Sequence, residues 1–256
     1  MIGRVLAPNP SLYTGPGTNT YVLRSGDEAI VLDPGPVIDS HVLAIVEALG
    51  DATPVGVVVT HTHPDHAPLA NPLGARLGVP VYGYERGPHF VPDVKLGDGD
   101  VLAWGDSELD AVHTPGHTDD HLCFRLADVL FTGDHIMGGS TVIIEDASEY
   151  LDSLYRVEEL GVARIEPGHG EPIDDAGSVI REYIDHRLTR ERQLLDAIAA
   201  GAGTIGDLVD VVYAEVPQGL RPAAVHQVRV QLVKLSRDAA VWFDNTTGES
   251  ASVRPR

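Results

Sequence analysis

His61-Thr62-His63-Pro64-Asp65-His66 follows directly on Val55-Gly56-Val57-Val58-Val59-Thr60. The earlier run is β-branched and apolar and reads as a buried strand. The later one places three imidazoles and a carboxylate within six residues. Neutral imidazole nitrogen and carboxylate oxygen are ligands that a zinc ion prefers. His61 and His63 are two apart, so in extended chain their side chains point the same way. The turn after His63 swings Asp65 and His66 in from another side. One short segment can therefore serve two adjacent metal positions.

Two metals need more ligands than this run offers, and three more candidates lie further along. His117 stands in Thr114-Pro115-Gly116-His117-Thr118, Asp134 in Val129-Leu130-Phe131-Thr132-Gly133-Asp134, and His169 in Arg164-Ile165-Glu166-Pro167-Gly168-His169-Gly170. Each reads as strand, then tight turn, then ligand. Ligands at the ends of rigid strands keep a metal's geometry fixed. The glycines allow close backbone approach or a positive φ. His41, His89, His186 and His226 lack this context and read as background. Cys123, the single cysteine, lies in Leu122-Cys123-Phe124 and reads as a buried, inert strand residue.

This constellation resembles the metallo-β-lactamase superfamily. Five motifs stand in the family's order: Asp33 after Val31-Leu32, the His61 to His66 run, His117, Asp134 and His169. The resemblance spans nearly the whole chain. It implies an α/β fold, a four-layer αββα sandwich with the metals at the sheet edges. It implies that His61, His63 and His117 hold one ion and that Asp65, His66 and His169 hold the other. Asp134 would bridge the two. Asp33 would stay off the metals and orient a ligand by hydrogen bonding. Two Zn²⁺ are expected, and Mn²⁺ or Fe²⁺ suits the same donors. Structural zinc is usually four-coordinate and rich in cysteine, whereas this set has none and leaves room for water.

At 256 residues the chain accommodates one large domain plus a small module. It has no apolar run of membrane-spanning length, and its N-terminus lacks a secretory apolar core. With a single cysteine, these features predict a cytoplasmic protein. The net charge is −20 and it is unevenly placed. Residues 181–256 carry ten acids and ten bases; residues 1–180 carry twenty-eight acids and eight bases. An acidic catalytic region repels polyanions at long range.

After Ile173 the pattern turns helical. A helix is expected over His186 to Ala200, closed by Gly201. Thr204 and Asp207 form a capping-box pair for a second helix. Pro222 suits the first turn of a third, which contains Val225, Val228, Leu232 and Leu235. A strand over Ala239 to Phe243 and a turn over Asp244 to Gly248 complete a winged helix. The expected domains are 1–180 catalytic, 181–249 winged helix and 250–256 a frayed tail. The third helix offers Arg229, Lys234 and Arg237, but the module is neutral. That favours packing, or a homodimer contact, over nucleic-acid binding.

The winged helix narrows the resemblance. With Thr14-Gly15-Pro16-Gly17-Thr18-Asn19-Thr20-Tyr21 and Thr114 to His121, the chain is similar to the β-lactamase-like subgroup that includes the mitochondrial endoribonuclease. One departure is Ala67-Pro68-Leu69-Ala70, where relatives carry glycine, which affects the shape of that loop. Gly15-Pro16-Gly17 has no following lysine and reads as a turn near the site mouth.

The expected function is a dinuclear zinc hydrolase. A water bridging the metals ionises near neutral pH and attacks a carbonyl carbon or a phosphorus. Asp65 would steer that nucleophile and shuttle a proton. His121 is a candidate proton donor or substrate contact, His135 is expected to face away from the site and His113 to be structural. The substrate is an ester, thioester, lactone or phosphodiester, since the same cluster serves all four. An endoribonuclease cleaving single-stranded RNA is the second reading. A winged-helix binding protein with an inactive metal site is the third.

Overall fold

The structure, a computed structural model, describes residues 1–139, 141–246 and 248–256. Strands β1 (Ile2–Leu6), β2 (Asn19–Ser25), β3 (Glu28–Leu32), β4 (Thr53–Val58), β5 (Val81–Gly83) and β6 (Val94–Lys95) form one sheet in that order. β1 to β3 are antiparallel, and β3 to β6 are parallel. Strands β7 (Val101–Trp104), β8 (Ser107–His113), β9 (Leu122–Leu126), β10 (Val129–Gly133) and β11 (Arg164–Pro167) form the second. It is an antiparallel meander closed by a parallel β10–β11 pair.

Strand periodicity builds the layers. Side chains alternate across a sheet, and here both faces are covered, so the strands read as unbroken apolar runs. Tyr21, Leu23, Ile30, Leu32 and Val58 turn towards Leu109, Leu122, Phe124 and Phe131 of the other sheet. Their neighbours Val22, Val31 and Val57 turn outwards onto Ile45 and Leu49 of α1 (Asp39–Leu49) and Leu73 of α2 (Ala70–Leu77). On the far side, Cys123, Leu130 and Ile165 meet Tyr150, Leu154 and Val157 of α3 (Ala147–Glu159). The result is the expected αββα sandwich. Phe124 and Phe131 are fully buried between the sheets; burial of each contributes about 1.5–3 kcal/mol. Ala67 and Leu69, just after the histidine run, are buried in the core beneath α2.

α4 (Ala176–Ala199) begins at Ala176 rather than His186, because the Asp175 carboxylate caps it by accepting from Ser178 N at 3.0 Å. Ile180 and Ile184 complete the core beneath α3, whereas Leu194 and Ile198 enter the winged-helix core. One helix thus serves both units. α5 (Ile205–Val212) starts with the expected Thr204–Asp207 capping box, and α6 (Arg221–Arg237) carries Pro222 in its first turn. β12 (Val241–Phe243) pairs antiparallel with β13 (Val253–Pro255) as the wing.

The tail expected to fray therefore does not. Val253 packs into the winged-helix core, and its N–H donates to Gly203 O at 2.9 Å. Thr247 of the expected Asp244–Gly248 turn lies outside the described residues. The module docks on the segment before α3. Gln227 Nε2 donates to Ile144 O at 3.0 Å and Arg237 pairs with Asp146 at 2.6 Å.

Candidate metal centre

β3 and β4 are parallel neighbours, so their C-terminal ends share one sheet edge, as do those of β10 and β11. Asp33 leaves β3, the His61–His66 run leaves β4, Asp134 leaves β10 and His169 leaves β11. His117 joins them from the β8–β9 loop. Two glycines permit the crowding. At Gly133, with φ +46°, an added Cβ would lie 2.6 Å from Thr60 Oγ1 and 2.9 Å from His121 Nε2. At Gly168 it would lie 2.7 Å from the His66 ring.

All seven expected ligands come together. His61, His63, His117 and Asp134 form one set, and Asp65, His66, Asp134 and His169 a second, each with ligand atoms within 4.8 Å of one another. Asp134 belongs to both. Its Oδ1 lies 3.2 Å from His66 Nε2 and 3.2 Å from His169 Nε2, while its Oδ2 lies 3.7 Å from His117 Nε2. Asp65 Oδ2 lies 3.1 Å from His169 Nε2. His117 Nε2 and His63 Nδ1 face each other at 3.1 Å.

The outward ring nitrogens are held by acceptors, which sets the tautomers. His117 Nδ1 donates to Ile143 O at 2.6 Å, His169 Nδ1 to Gly17 O at 3.1 Å and His66 Nδ1 to Asp33 Oδ2 at 2.9 Å. Each Nε2 is then the nitrogen turned towards the cluster, the one that ligates once it carries no proton. His61 is held through a relay. Thr60 Oγ1 donates to Asp33 Oδ2 at 2.7 Å and so accepts from His61 Nδ1 at 3.0 Å. His61 Nε2 is left buried with no hydrogen-bond partner. A buried orphan nitrogen facing imidazoles and a carboxylate is what a divalent cation would satisfy, so this donor set fits metal.

Without metal, protons occupy part of its place. Burial opposes ionisation of Asp134, yet His66 and His169 outweigh it and hold the carboxyl well below the ordinary value. Burial likewise disfavours a charged His66, but Asp134, Asp33 and Asp65 hold its pKa well above normal. His169 is pushed up to about 9 against its burial, by hydrogen bonding and attraction to Asp134 and by Asp65. Burial keeps His61 neutral, with His66 and His117 adding to the effect.

The remaining sequence candidates fall elsewhere. Asp33 lies behind the ligands, accepting from Thr60 N at 2.7 Å as well as from His66 and the Thr60 hydroxyl. His121 is fully buried beneath the site and does not line the cleft above it. Its Nδ1 meets Thr114 Oγ1 at 2.9 Å, and its Nε2 accepts from Asp134 N at 3.3 Å. A proton donor or substrate contact is not what this placement provides; it holds the Asp134 backbone. His135 packs on Tyr150, and His113 stacks on Tyr84.

Sequence reasoning misses several participants. Thr60 reads there only as the end of a strand. His41 reads as background, yet it is buried behind the site, with Nε2 at 2.8 Å from Thr20 Oγ1, which in turn donates to Asp33 O. The Gly17 turn supplies a carbonyl to His169 rather than only shaping the mouth. A cleft of about 770 Å³ opens over His63, Asp65, His117 and Asp134. Its opposite wall comes from the winged helix and its approaches, through Arg187, Arg190, Tyr213, Val216 and Leu220. No helix among the described residues is long and apolar enough to cross a membrane.

A family profile described as the metallo-beta-lactamase superfamily matches residues 13–169. The chain belongs to the metallo-β-lactamase superfamily. A second profile, the beta-lactamase associated winged helix domain, matches residues 204–245. The beta-lactamase-like protein 2 homolog of Caenorhabditis elegans is 33% identical over 257 residues, covering 94% of this chain and 85% of that protein. An atrochrysone carboxyl ACP thioesterase of Aspergillus chevalieri is 34% identical over 260 residues, covering 94% and 82%. A solved metallo-β-lactamase family protein from Thermus thermophilus shares the fold over 100% of this chain and 98% of its own, with TM-score 0.81 and 21% identity. Members of the superfamily, thioesterase-named relatives among them, are metal-dependent hydrolases, and this metallo-β-lactamase protein with its His/Asp cluster is one.

Proposed function

We propose that this hydrolase cleaves thioesters of apolar acyl groups with two divalent ions, zinc first among them. The observation that carries this reading is the cleft over the cluster. Leu12, Tyr13, Val142, Val216 and Leu220 line it, surfaces that suit an acyl chain. Relatives named as acyl-carrier thioesterases, at 31% to 34% identity, support the same reaction class. A single-stranded RNA would ask for a basic track with stacking faces, and the sandwich half holds the whole acidic excess.

His61, His63 and His117 would hold one ion and Asp65, His66 and His169 the other, with Asp134 shared. Bound there, the ions supply Lewis acidity and a water acidic enough to ionise near neutral pH. The chain does the rest. Asp33, Thr60, and the Gly17 and Ile143 carbonyls hold the outward ring nitrogens, so that the inward nitrogen is the one offered to a metal. Asp65, a quarter exposed at the cleft floor, holds a proton in transit from the attacking water. His121 acts through Asp134 as a positioning residue. A thiolate leaves without a strong acid beside it, because a thiol's pKa is about 8.5. That suits a site in which His121 does not reach the cleft.

The test is a panel of acyl thioesters of rising chain length, with thiol release followed before and after chelation and after metal return. Hydrolysis that improves with chain length, stops in chelator and returns with zinc is expected. Inert thioesters beside metal-dependent cleavage of single-stranded RNA would replace this reading with the ribonuclease one.

A further inference from the structure

Arg187 and Arg190 are the arginines that line the cleft over the histidine cluster. Arg4, Arg24, Arg156, Arg164, Arg181, Arg221 and Arg237 each pair with a carboxylate. Arg187 and Arg190 have no carboxylate within ion-pair distance among the described residues, in a chain of net charge −20; Arg76, Arg86, Arg125, Arg192, Arg229, Arg254 and Arg256 share that lack, but of this group only these two line the cleft. Arg187 is only 7% exposed. Its Nη2 donates to Val142 O at 2.7 Å, its Nη1 to Gln227 Oε1 at 3.4 Å, and its guanidinium lies 4.7 Å from the Tyr150 ring centroid. Its Nε is buried with no partner. Arg190 spends Nη1 on Val212 O at 2.8 Å and Gln193 Oε1 at 3.1 Å and lies 4.8 Å from the Tyr213 ring centroid.

The two residues are three apart on α4, which puts them on one helix face. Both line the cleft that opens over His63, Asp65, His117 and Asp134. A guanidinium keeps its charge at any physiological pH. Burying one without an opposite charge is costly. Neutral acceptors and an aromatic face hold Arg187 in place without cancelling its charge. The acids lining the same cleft are Asp65 and Asp134, committed to the histidine cluster, and Glu145, which pairs with His226 at 3.4 Å.

We propose that Arg187 and Arg190 form an anion-binding subsite on the winged-helix side of the cleft, where a carboxylate or phosphate group of the substrate docks while its reactive carbonyl lies over the cluster. The proposal rests on the thioester reading for the identity of that substrate. The anion is either a carboxylate at the far end of the acyl group or a phosphate of the carrier thiol. A fork of N–H donors suits both. Because α4 carries these residues out of the sandwich and into the winged helix, the subsite also gives the second unit a part in choosing the substrate.

The experiment compares metal-loaded full-length protein with Arg190→Gln and Arg187→Lys. Three substrates separate the sources: octanoyl-N-acetylcysteamine carries no anion, 7-carboxyheptanoyl-N-acetylcysteamine carries only a carboxylate, and octanoyl-coenzyme A carries only phosphates. The expected result is that kcat/KM for an anionic thioester, divided by that for the neutral one, falls about 10-fold or more in Arg190→Gln, the size of one lost charge-assisted hydrogen bond. A fall for the carboxyacyl ester alone assigns the carboxylate, and a fall for the coenzyme A ester alone assigns the phosphate. Unchanged ratios in both variants overturn the subsite and leave the arginines as a clamp between units. Calorimetric binding of suberate and of pyrophosphate reads the subsite without turnover. Weaker binding in Arg190→Gln, with no thioester hydrolysed by wild type, sustains the subsite and sinks the thioester reading. Equal binding with thioesters hydrolysed does the reverse.

Discussion

The Thr60 hydroxyl donates to Asp33 Oδ2 at 2.7 Å. That bond commits the only hydroxyl hydrogen, so Thr60 Oγ1 can only accept from His61 Nδ1. One carboxylate behind the site thus fixes the orientation of His66 directly and the tautomer of His61 through a threonine. The two histidines belong to different ligand sets, so Asp33 is coupled to both.

Thr60→Val keeps the shape of the side chain and removes the relay. Metal affinity is expected to fall about 10- to 100-fold, the range for lost support of a ligating histidine. Chelator competition measures it. Affinity equal to wild type would mean that His61 keeps its tautomer by other means.

Asp134→Ala removes the one carboxylate common to both sets. Metal per chain, read by elemental analysis, is expected to drop and turnover to disappear. Wild-type activity in this variant would refute the shared role.

His121→Phe leaves the Asp134 N–H buried without its acceptor. A loss of about 1–3 kcal/mol in stability is expected. Turnover should fall because Asp134 is no longer held in register, while metal stoichiometry is retained. Denaturant titration, metal analysis and kcat together decide. Loss of metal would make His121 a ligand in practice.

Metal-free and metal-loaded protein should respond to pH with opposite slopes. In metal-free protein His169 holds its proton up to about 9. Its unfolded value is about 6.5. The stability it contributes is therefore fully present below 6.5 and is lost as pH rises through about 9. His66 is raised in the same direction. Metal needs these imidazoles neutral, so loaded protein gains affinity over the same range. Thermal midpoints measured from pH 6 to 9.5, with and without chelator, should diverge. Parallel curves would show that protons and metal do not compete at His66 and His169.

The layers were expected from the family resemblance, and strand alternation, which is local, accounts for them. Tyr21 and Leu23 point one way and Val22 the other in any extended chain. The ligands were legible because His, Asp and Gly spacing at strand ends is also local. His121 and His41 were not, since each acts across a long sequence gap, on Asp134 and on Thr20 beside Asp33. The tail misled for the same reason. Ala251 and Val253 are small and surrounded by polar residues, and only pairing with β12 and Gly203 shows that they are buried.

Through its resemblance to a known family the order of residues implied the αββα sandwich; by itself it determined the winged helix and the seven candidate metal-binding side chains. Each depends on period, turn chemistry or donor type within a few neighbouring positions. Only the tertiary structure decided which nitrogen of each histidine faces the cluster, that His121 is sealed beneath it, and that Arg187 and Arg190 look across a cleft at it. Those outcomes depend on which distant carbonyls, carboxylates and rings are packed alongside. Long-range packing of that kind is a property of the folded chain, and no single stretch of the sequence carries it.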